Sequence, residues 1–439
     1  MSYQAAIDQL SVMGPELYTQ PGQMRRKFSL DEIGVLLSAL DNPQQHFRSV
    51  LIAGTNGKGS TASTLASILV ASGLRTGLYT SPHLVRPNER ICVDRVEIGD
   101  DEFARDYFRA NDAAQQLVLN GRLAQMPSFF ETLTAIAFLH FAQAGVEIAV
   151  LEVGMGGRLD ATNVADPLIS VITDISLDHT QWLGTTIAAI TREKAGILRR
   201  RGTLITLPQH PEANHVLGEV AAELDVRGVS AAPYMPPLGA GTAEPYFVEA
   251  LGATVEVASP LWGAHQHRNV ALAIATAVEL ATSHGLPVTP AAIAEGIRQT
   301  RWPGRLERLA SGGADWLLDV AHNPAGAWAL RAGLRDAKAH TLIFSCLRDK
   351  PIVEMAQILF PLFERVIFAP IHSARATPMS DMLAAAEAIG ATALAAESVR
   401  QALEMACADA VGGVIVVSGS VYLVGEVRSL LLAEGGVQA

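Results

Sequence analysis

The sequence predicts an α/β protein with two parts. One is a larger N-terminal domain on a mainly parallel sheet, the other a smaller C-terminal Rossmann-like α/β domain. Three observations predict it. Strand-length apolar runs alternate with helix-periodic segments over most of the chain, the pattern of a sheet layered with helices. A glycine-rich stretch, Gly54-Thr55-Asn56-Gly57-Lys58-Gly59-Ser60, joins an apolar run at 50–53 to a helical segment at 61–69. A second alternating block follows Trp302-Pro303-Gly304-Arg305, where proline stops a helix and glycine frees the backbone.

The elements follow in order. Ser29-Leu30-Asp31-Glu32 is a capping box opening a helix that ends near Leu40. Strands are expected at 50–53, 76–80, 148–151, 169–173 and 204–207. A helix over 130–143 carries Leu133, Ile136, Ala137 and Phe141 on one face, and another starts near Thr185. The Pro-, Gly- and Ala-rich stretch 231–245 is expected as a surface excursion. Later strands fall at 316–320, 342–345, 366–369 and 414–417, about one nucleotide-fold domain. The division is expected at 1–300 and 301–439, which suits a 439-residue chain.

Composition bounds the function. A hydrophobic content of 49% with 18% charged residues suits a packed enzyme, and a net charge of −11 argues against a nucleic-acid coat or a membrane-surface protein. The three cysteines, Cys92, Cys346 and Cys407, are far apart, odd in number and without paired metal spacing, which points to a reducing cytosol. The start lacks a basic patch followed by an apolar stretch, and no apolar run is long enough for a bilayer. A cytoplasmic monomer with small-molecule substrates, and with neither nucleic acid nor membrane as partner, is the expectation.

The glycine stretch carries the chemistry. A strand that turns through glycines into a helix leaves unpaired N–H groups and the positive end of the helix dipole at one spot, where a phosphate fits. Lys58 adds a full charge for the outer phosphates, marking a P-loop-type ATPase domain. The spacing differs from the standard loop: Gly59 stands between Lys58 and Ser60. Glu152 follows an apolar run at the carboxyl end of a strand, where such folds keep a magnesium carboxylate. The next such end bears Asp174, Asp178 and His179. On residue chemistry alone, His179 is more readily a hydrogen-bonded surface histidine than a ligand. Lys194 is either a solvated helix residue or a buried amine able to add carbon dioxide. Asp319 and Arg305 can grip a nucleotide from across a cleft, with His322 near the transferred phosphate; each also reads as a cap or an ion pair.

Together these stretches resemble the folylpolyglutamate synthases and dihydrofolate synthases, relatives of the Mur ligases. The matching segments are 54–60, Thr80-Ser81-Pro82-His83-Leu84, Asn88-Glu89-Arg90-Ile91, Ser128-Phe129-Phe130-Glu131 and 152–163. Leu177-Asp178-His179-Thr180, 193–197, 302–307, 319–324 and Ser418-Gly419-Ser420 continue them in family order. The resemblance implies an ATP-dependent ligase that adds L-glutamate to a folate, and also to dihydropteroate, through an acyl phosphate. It implies Ser81, Glu152 and His179 as Mg2+ ligands, and Lys194 as a carbamate serving a second Mg2+. Asn269, Arg305 and Asp319 would hold ATP from the far side. Arg90, Ser128, Phe130 and Asp160 would lie by the pterin, and His322 and Ser420 by the incoming glutamate. The run from Gly157 to Asn163 is similar to the bifunctional form, whereas Met24-Arg25-Arg26-Lys27-Phe28-Ser29-Leu30 departs from the Leu-Gly-Leu-x-Arg pattern of many bifunctional members. The nearest alternative is a Mur-type ligase joining an amino acid to another carboxylate. A kinase would need no amine, and a nucleotide switch would leave the second domain unexplained.

Overall fold

The computed structural model describes residues 2–13, 29–237, 241, 244–334, 339–408 and 413–435. Residues 24–28 of the segment that departs from the bifunctional pattern lie outside this set, as do 238–240 and 242–243 of the Pro-rich excursion.

The N-terminal sheet has eight strands: β1 (Arg48–Ala53), β2 (Thr76–Tyr79), β3 (Ile91–Val93), β4 (Val96–Glu97), β5 (Ile148–Glu152), β6 (Ile169–Ile172), β7 (Thr203–Thr206) and β8 (Arg227–Ser230). Their order is β4-β3-β2-β5-β1-β6-β7-β8, parallel except at the β3 and β4 edge. β1 is central because both of its faces are apolar. Leu51 and Ala53 join the core under helices Leu30–Ala39, Asp100–Leu119 and Phe129–Gln143. Val50 and Ile52 join the opposite core under Lys58–Ala71, Ala264–His284 and Pro290–Arg298. Side chains alternate across a strand, so a strand covered on both faces reads as one unbroken apolar run. Register aligns the strand ends: Ile52 pairs with Glu152, and Ala53 with Ile172. Glu152, the turn after Ala53 and the chain after Ile172 therefore emerge side by side.

A hairpin of β9 (Tyr246–Ala250) and β10 (Ala253–Val257) follows a short 3-10 turn at Ala232–Tyr234. The C-terminal sheet holds β11 (Glu307–Ser311), β12 (Ala314–Leu318), β13 (Ala339–Phe344), β14 (Arg365–Phe368), β15 (Ala393–Ala395) and β16 (Val414–Ser418). Its order is β11-β12-β16-β13-β14-β15, with only β11 antiparallel. Again one residue set faces each way: Leu317, Leu342, Phe344 and Val416 on one side, Leu318, Ile343, Ile367 and Val417 on the other.

Several expected bounds shift by a few residues, two of them for a plain reason. The helix after the glycine turn starts at Lys58, because Gly57 takes the left-handed conformation and caps it. β12 ends at Leu318 rather than 320, since the Val320 N–H leaves the sheet for the Gly304 carbonyl (3.0 Å). No helix among the described residues is long and apolar enough to cross a membrane.

Candidate active site

The turn after β1 is pinned before any ligand arrives. The Thr55 and Asn56 N–H groups both donate to the Asp174 carbonyl (2.8 and 3.2 Å), tying the turn to the end of β6. At Gly57 φ is +87°, and a Cβ there would collide with the Asn269 amide, so glycine is required twice over. The Lys58 ammonium folds back onto the Gly54 and Thr55 carbonyls (3.2 Å each) and holds the turn in a ring.

The Lys194 ammonium, on helix Ile187–Ala195, is buried at 4% exposure and donates to the same Gly54 carbonyl (2.6 Å). Burial, with Lys58 nearby, lowers it to about 7, so the neutral amine is well populated near neutrality. Glu152, at the end of β5, is buried, and its Oε2 accepts the Ser81 N–H (3.1 Å). Burial raises its carboxyl, opposed chiefly by Lys58. His179 caps the short helix Thr180–Leu183 in the left-handed region. Burial lowers its imidazole to about 4, against the pull of Asp178, leaving it neutral with a free lone pair near neutrality.

The second unit closes the cleft. Both Asp319 carboxylate oxygens accept backbone N–H groups, from Leu306 and Ala321 (2.9 Å each), which fixes the end of β12 against the linker carrying Arg305. Burial raises the Asp319 carboxyl, opposed by Arg305. His322 Nδ1 lies 2.9 Å from the Val320 carbonyl, and its Nε2 3.7 Å from Asp178. Asn269, on Ala264–His284, donates to Gln266 (2.8 Å).

All seven residues of the glycine turn, with Ser81, Glu152, His179, Lys194, Asn269, Arg305, Asp319 and His322, line one cleft of about 490 Å³. Residues far apart in sequence, and on both units, thus converge as expected. Among the described residues no group of three His, Cys, Asp or Glu side chains is gathered for a metal. Ser81, Glu152 and His179 still fit Mg2+, which takes one or two carboxylates and completes its shell with water and phosphate oxygens.

Five expected substrate residues do not line the cleft. Phe130 packs where a Cβ on Gly154 would sit, and Asp160 accepts N–H groups from Met155 (2.9 Å) and Thr162 (3.0 Å). Gly154 and Met155 do line the cleft, so these two residues support its wall from behind. Burial raises the Asp160 carboxyl to about 6, against those hydrogen bonds. Buried Arg90 donates to His83 Nδ1 (2.9 Å) and stacks over Phe129. Ser128 and Glu131 form the capping box of Phe129–Gln143, and the Ser420 hydroxyl accepts the Tyr422 N–H (3.2 Å).

Sequence reasoning missed the contact between the units. Lys350, 6% exposed, pairs with Asp178 (2.7 Å). Asn323 donates to Asp178 (3.1 Å) and to Asn56 of the glycine turn (3.0 Å). Burial alone would raise Asp178, but His322, His179 and Lys350 around it hold it below the usual carboxylate range. Arg268 clasps Asp174 with two nitrogens (2.6–2.9 Å). Lys350 lies in the loop between β13 and helix Ile352–Leu359, with Arg348 and Asp349 before it, and no local pattern set it apart.

The Mur ligase middle domain matches residues 52–277, and the Mur ligase glutamate ligase domain matches 304–421. The folylpolyglutamate synthase of Lacticaseibacillus casei is 37% identical over 411 residues, covering 90% of this chain and 93% of that protein. The dihydrofolate synthase/folylpolyglutamate synthase of Mycobacterium tuberculosis is 36% identical, covering 92% of this chain and 90% of its own. Among solved structures, Mycobacterium tuberculosis folylpolyglutamate synthase complexed with ADP and AMPPCP superposes with a TM-score of 0.87 at 34% identity, over 98% of this chain and 99% of that one. E. coli FolC in complex with DHPP and ADP gives 0.83 at 30% identity, over 98% of each chain. With the two-sheet architecture and the shared cleft, these matches show that the chain belongs to the folylpolyglutamate synthase/dihydrofolate synthase family of Mur ligases.

Proposed function

We propose that this chain uses ATP to join L-glutamate to the carboxylate of a folate, and also to dihydropteroate, through an acyl phosphate. The observation that carries the reading is the single cleft in which Lys58, Glu152 and Lys194 of the first unit face Arg305, Asp319 and His322 of the second. The triphosphate would lie on the turn from Gly54 to Ser60, with the Lys58 ammonium leaving its two carbonyls for the outer phosphates. Asn269, Arg305 and Asp319 would hold the nucleotide from the far side. When bound, Mg2+ at Ser81, Glu152 and His179, and a second at a Lys194 carbamate, would neutralise phosphate charge.

The substrate carboxylate attacks the γ-phosphorus, and ADP departs. The glutamate amine then attacks the acyl carbon, forms the amide and expels phosphate. Both reacting partners of the first step are anions, so Lys58 and Arg305 lower the cost of their approach. Lys194, neutral in much of its population near pH 7, offers the nucleophilic amine that carbamate formation requires. Arg90, Ser128, Phe130 and Asp160 support the pterin side, and His322 and Ser420 the glutamate side. Closure of 301–439 onto 1–300 would keep water from the acyl phosphate. A cytoplasmic monomer fits the composition and the small substrates.

ADP release measured with tetrahydrofolate, then with dihydropteroate, each with and without glutamate, tests this. Sustained release is expected only when pterin acid and glutamate are both present. Equal release without glutamate would refute the ligase reading.

A further inference from the structure

The helix Pro290–Arg298 and the linker that follows it are anchored along one face of the phosphate-loop helix. Gly59, Ser63 and Ser67 recur every four residues on Lys58–Ala71 and so share a stripe. Ser67 donates to the Gly296 carbonyl (2.6 Å) and Ser63 to the Arg301 carbonyl (2.9 Å). At the head of the stripe the Trp302 indole lies on Gly59, where a Cβ would meet its Cζ2 at 2.5 Å and its Cε2 at 2.9 Å. This accounts for the glycine between Lys58 and Ser60: a side chain there would expel the ring.

Beyond Trp302 the bonding changes hands. Gly304 donates to Glu307 (2.8 Å), which Arg428 holds, and the Gly304 carbonyl accepts the Val320 N–H. Leu306 donates to Asp319. The break between the units thus falls at Pro303. Trp302 is the last residue before it, and the Arg305 guanidinium is the first charge after it, 6.0 Å from the indole centre. Arg305 lines the nucleotide cleft and also a second cavity of about 490 Å³, which Trp302, Pro303, Leu84 and Val421 border. Trp302 borders that second cavity but not the cleft, so the ring has room to tilt without touching nucleotide.

We propose that Trp302 is a positioning residue that transmits occupancy of the phosphate loop, through its seat on Gly59, to Arg305 and the second unit. This rests on the ATP-dependent reading given above. Filling the loop moves Lys58 off its two carbonyls, and Gly59 is its covalent neighbour. A shift of that backbone displaces the indole, and the indole carries Arg305 towards or away from the triphosphate. The Trp302 Nε1 makes no hydrogen bond among the described residues, so contact alone couples the ring to the loop.

The test uses the full chain labelled with 5-fluorotryptophan. Its five tryptophans give separate 19F resonances, and the one lost in Trp302→Phe is that of Trp302. Saturating AMPPCP with Mg2+ should move this resonance while that of Trp316, in the second unit's core, stays. In kinetics, Trp302→Ala should lower kcat about 10- to 100-fold, because small misplacements of a reacting group cost that much. KM for ATP should stay within about threefold, and Trp302→Phe should regain most of the loss. A Trp302 resonance unmoved by bound AMPPCP, or a folded Trp302→Ala variant with unchanged kcat, would overturn the proposal. Should Trp302→Ala not fold, the resonance and the Phe variant decide alone. Absence of AMPPCP binding to the unaltered protein would overturn this proposal and the ATP-dependent reading together; binding without movement overturns this one only.

Discussion

Replacing Lys350 by methionine should loosen the two units from each other, and the size of the effect follows from the surroundings of Asp178. The pair is 2.7 Å apart, with side chains 6% and 10% exposed. At an effective dielectric constant near 20 that separation gives about 6 kcal/mol of attraction, against several kcal/mol of lost hydration for each ion. The intact pair is therefore close to neutral in net energy. Removing one partner is different, because the other charge stays buried, at a cost of about 3–5 kcal/mol. Asp178 keeps the His179 N–H (2.8 Å) and the Asn323 amide (3.1 Å), which places Lys350→Met near about 3 kcal/mol. Methionine fills much of the lysine stem, so lost packing adds little. In Lys350→Met/Asp178→Asn no unpaired charge remains, and the double variant should cost about 2 kcal/mol less than the two single losses summed. Urea denaturation of the four proteins at pH 7.5, analysed for midpoint and slope, measures that difference. A coupling under about 0.5 kcal/mol, the range in which independent sites add, would refute the argument.

Lys58→Ala should keep the native circular dichroism yet lose ATP-dependent product formation by about 100-fold or more, since it removes the one full charge on the loop; normal turnover would count against the phosphate role. Gly57→Ala forces a Cβ onto the Asn269 amide at a φ of +87°, so calorimetry should find ADP binding weakened by about tenfold or more, and unchanged binding would contradict the packing. Lys194→Ala should lose activity that a short carboxylate such as acetate partly restores, and full activity without it would dismiss a carbamate. Thiols react as thiolates, and burial raises Cys92 to about 12 and also raises Cys346, whereas Cys407 is exposed. Titration with a disulfide reagent at pH 8 should find one fast thiol in native protein and three after denaturation; rapid reaction of the half-buried Cys92 would contradict its raised thiol.

The central strands were legible because burial on both faces leaves unbroken apolar runs, as at β1, β5 and β16. The edge elements were not. β4 is two residues long and exposed, and the β9–β10 hairpin alternates buried with exposed positions without a strong turn signal. The long helix Asp100–Leu119 also went unread, although Asp100, Asp101 and Glu102 enrich its first turn. At the site, the glycine turn, Glu152 and Lys194 were legible from local pattern or from family resemblance. Lys350, Asn323 and Arg268 were not, because each acts on a partner more than 90 residues away and carries no local signature.

The missed contacts bear on how the chemistry is protected. In the proposed reaction an acyl phosphate is open to hydrolysis, so that reading needs the second unit over the cleft while the intermediate exists. The Asp178 carboxylate touches both sides of that event: it sits beside His179 on the first unit and is held by Lys350 and Asn323 of the second. Asn323 in turn reaches Asn56 within the phosphate loop. One buried anion thus links the state of the loop to the closeness of the units from one wall of the cleft, and Trp302 on Gly59 does so from the linker. Two such ties, one in the cleft wall and one at the linker, hold the units at separate places. Breaking either tie alone should therefore lower turnover more than nucleotide affinity, because the loop itself stays built while the second set of charges arrives in the wrong place.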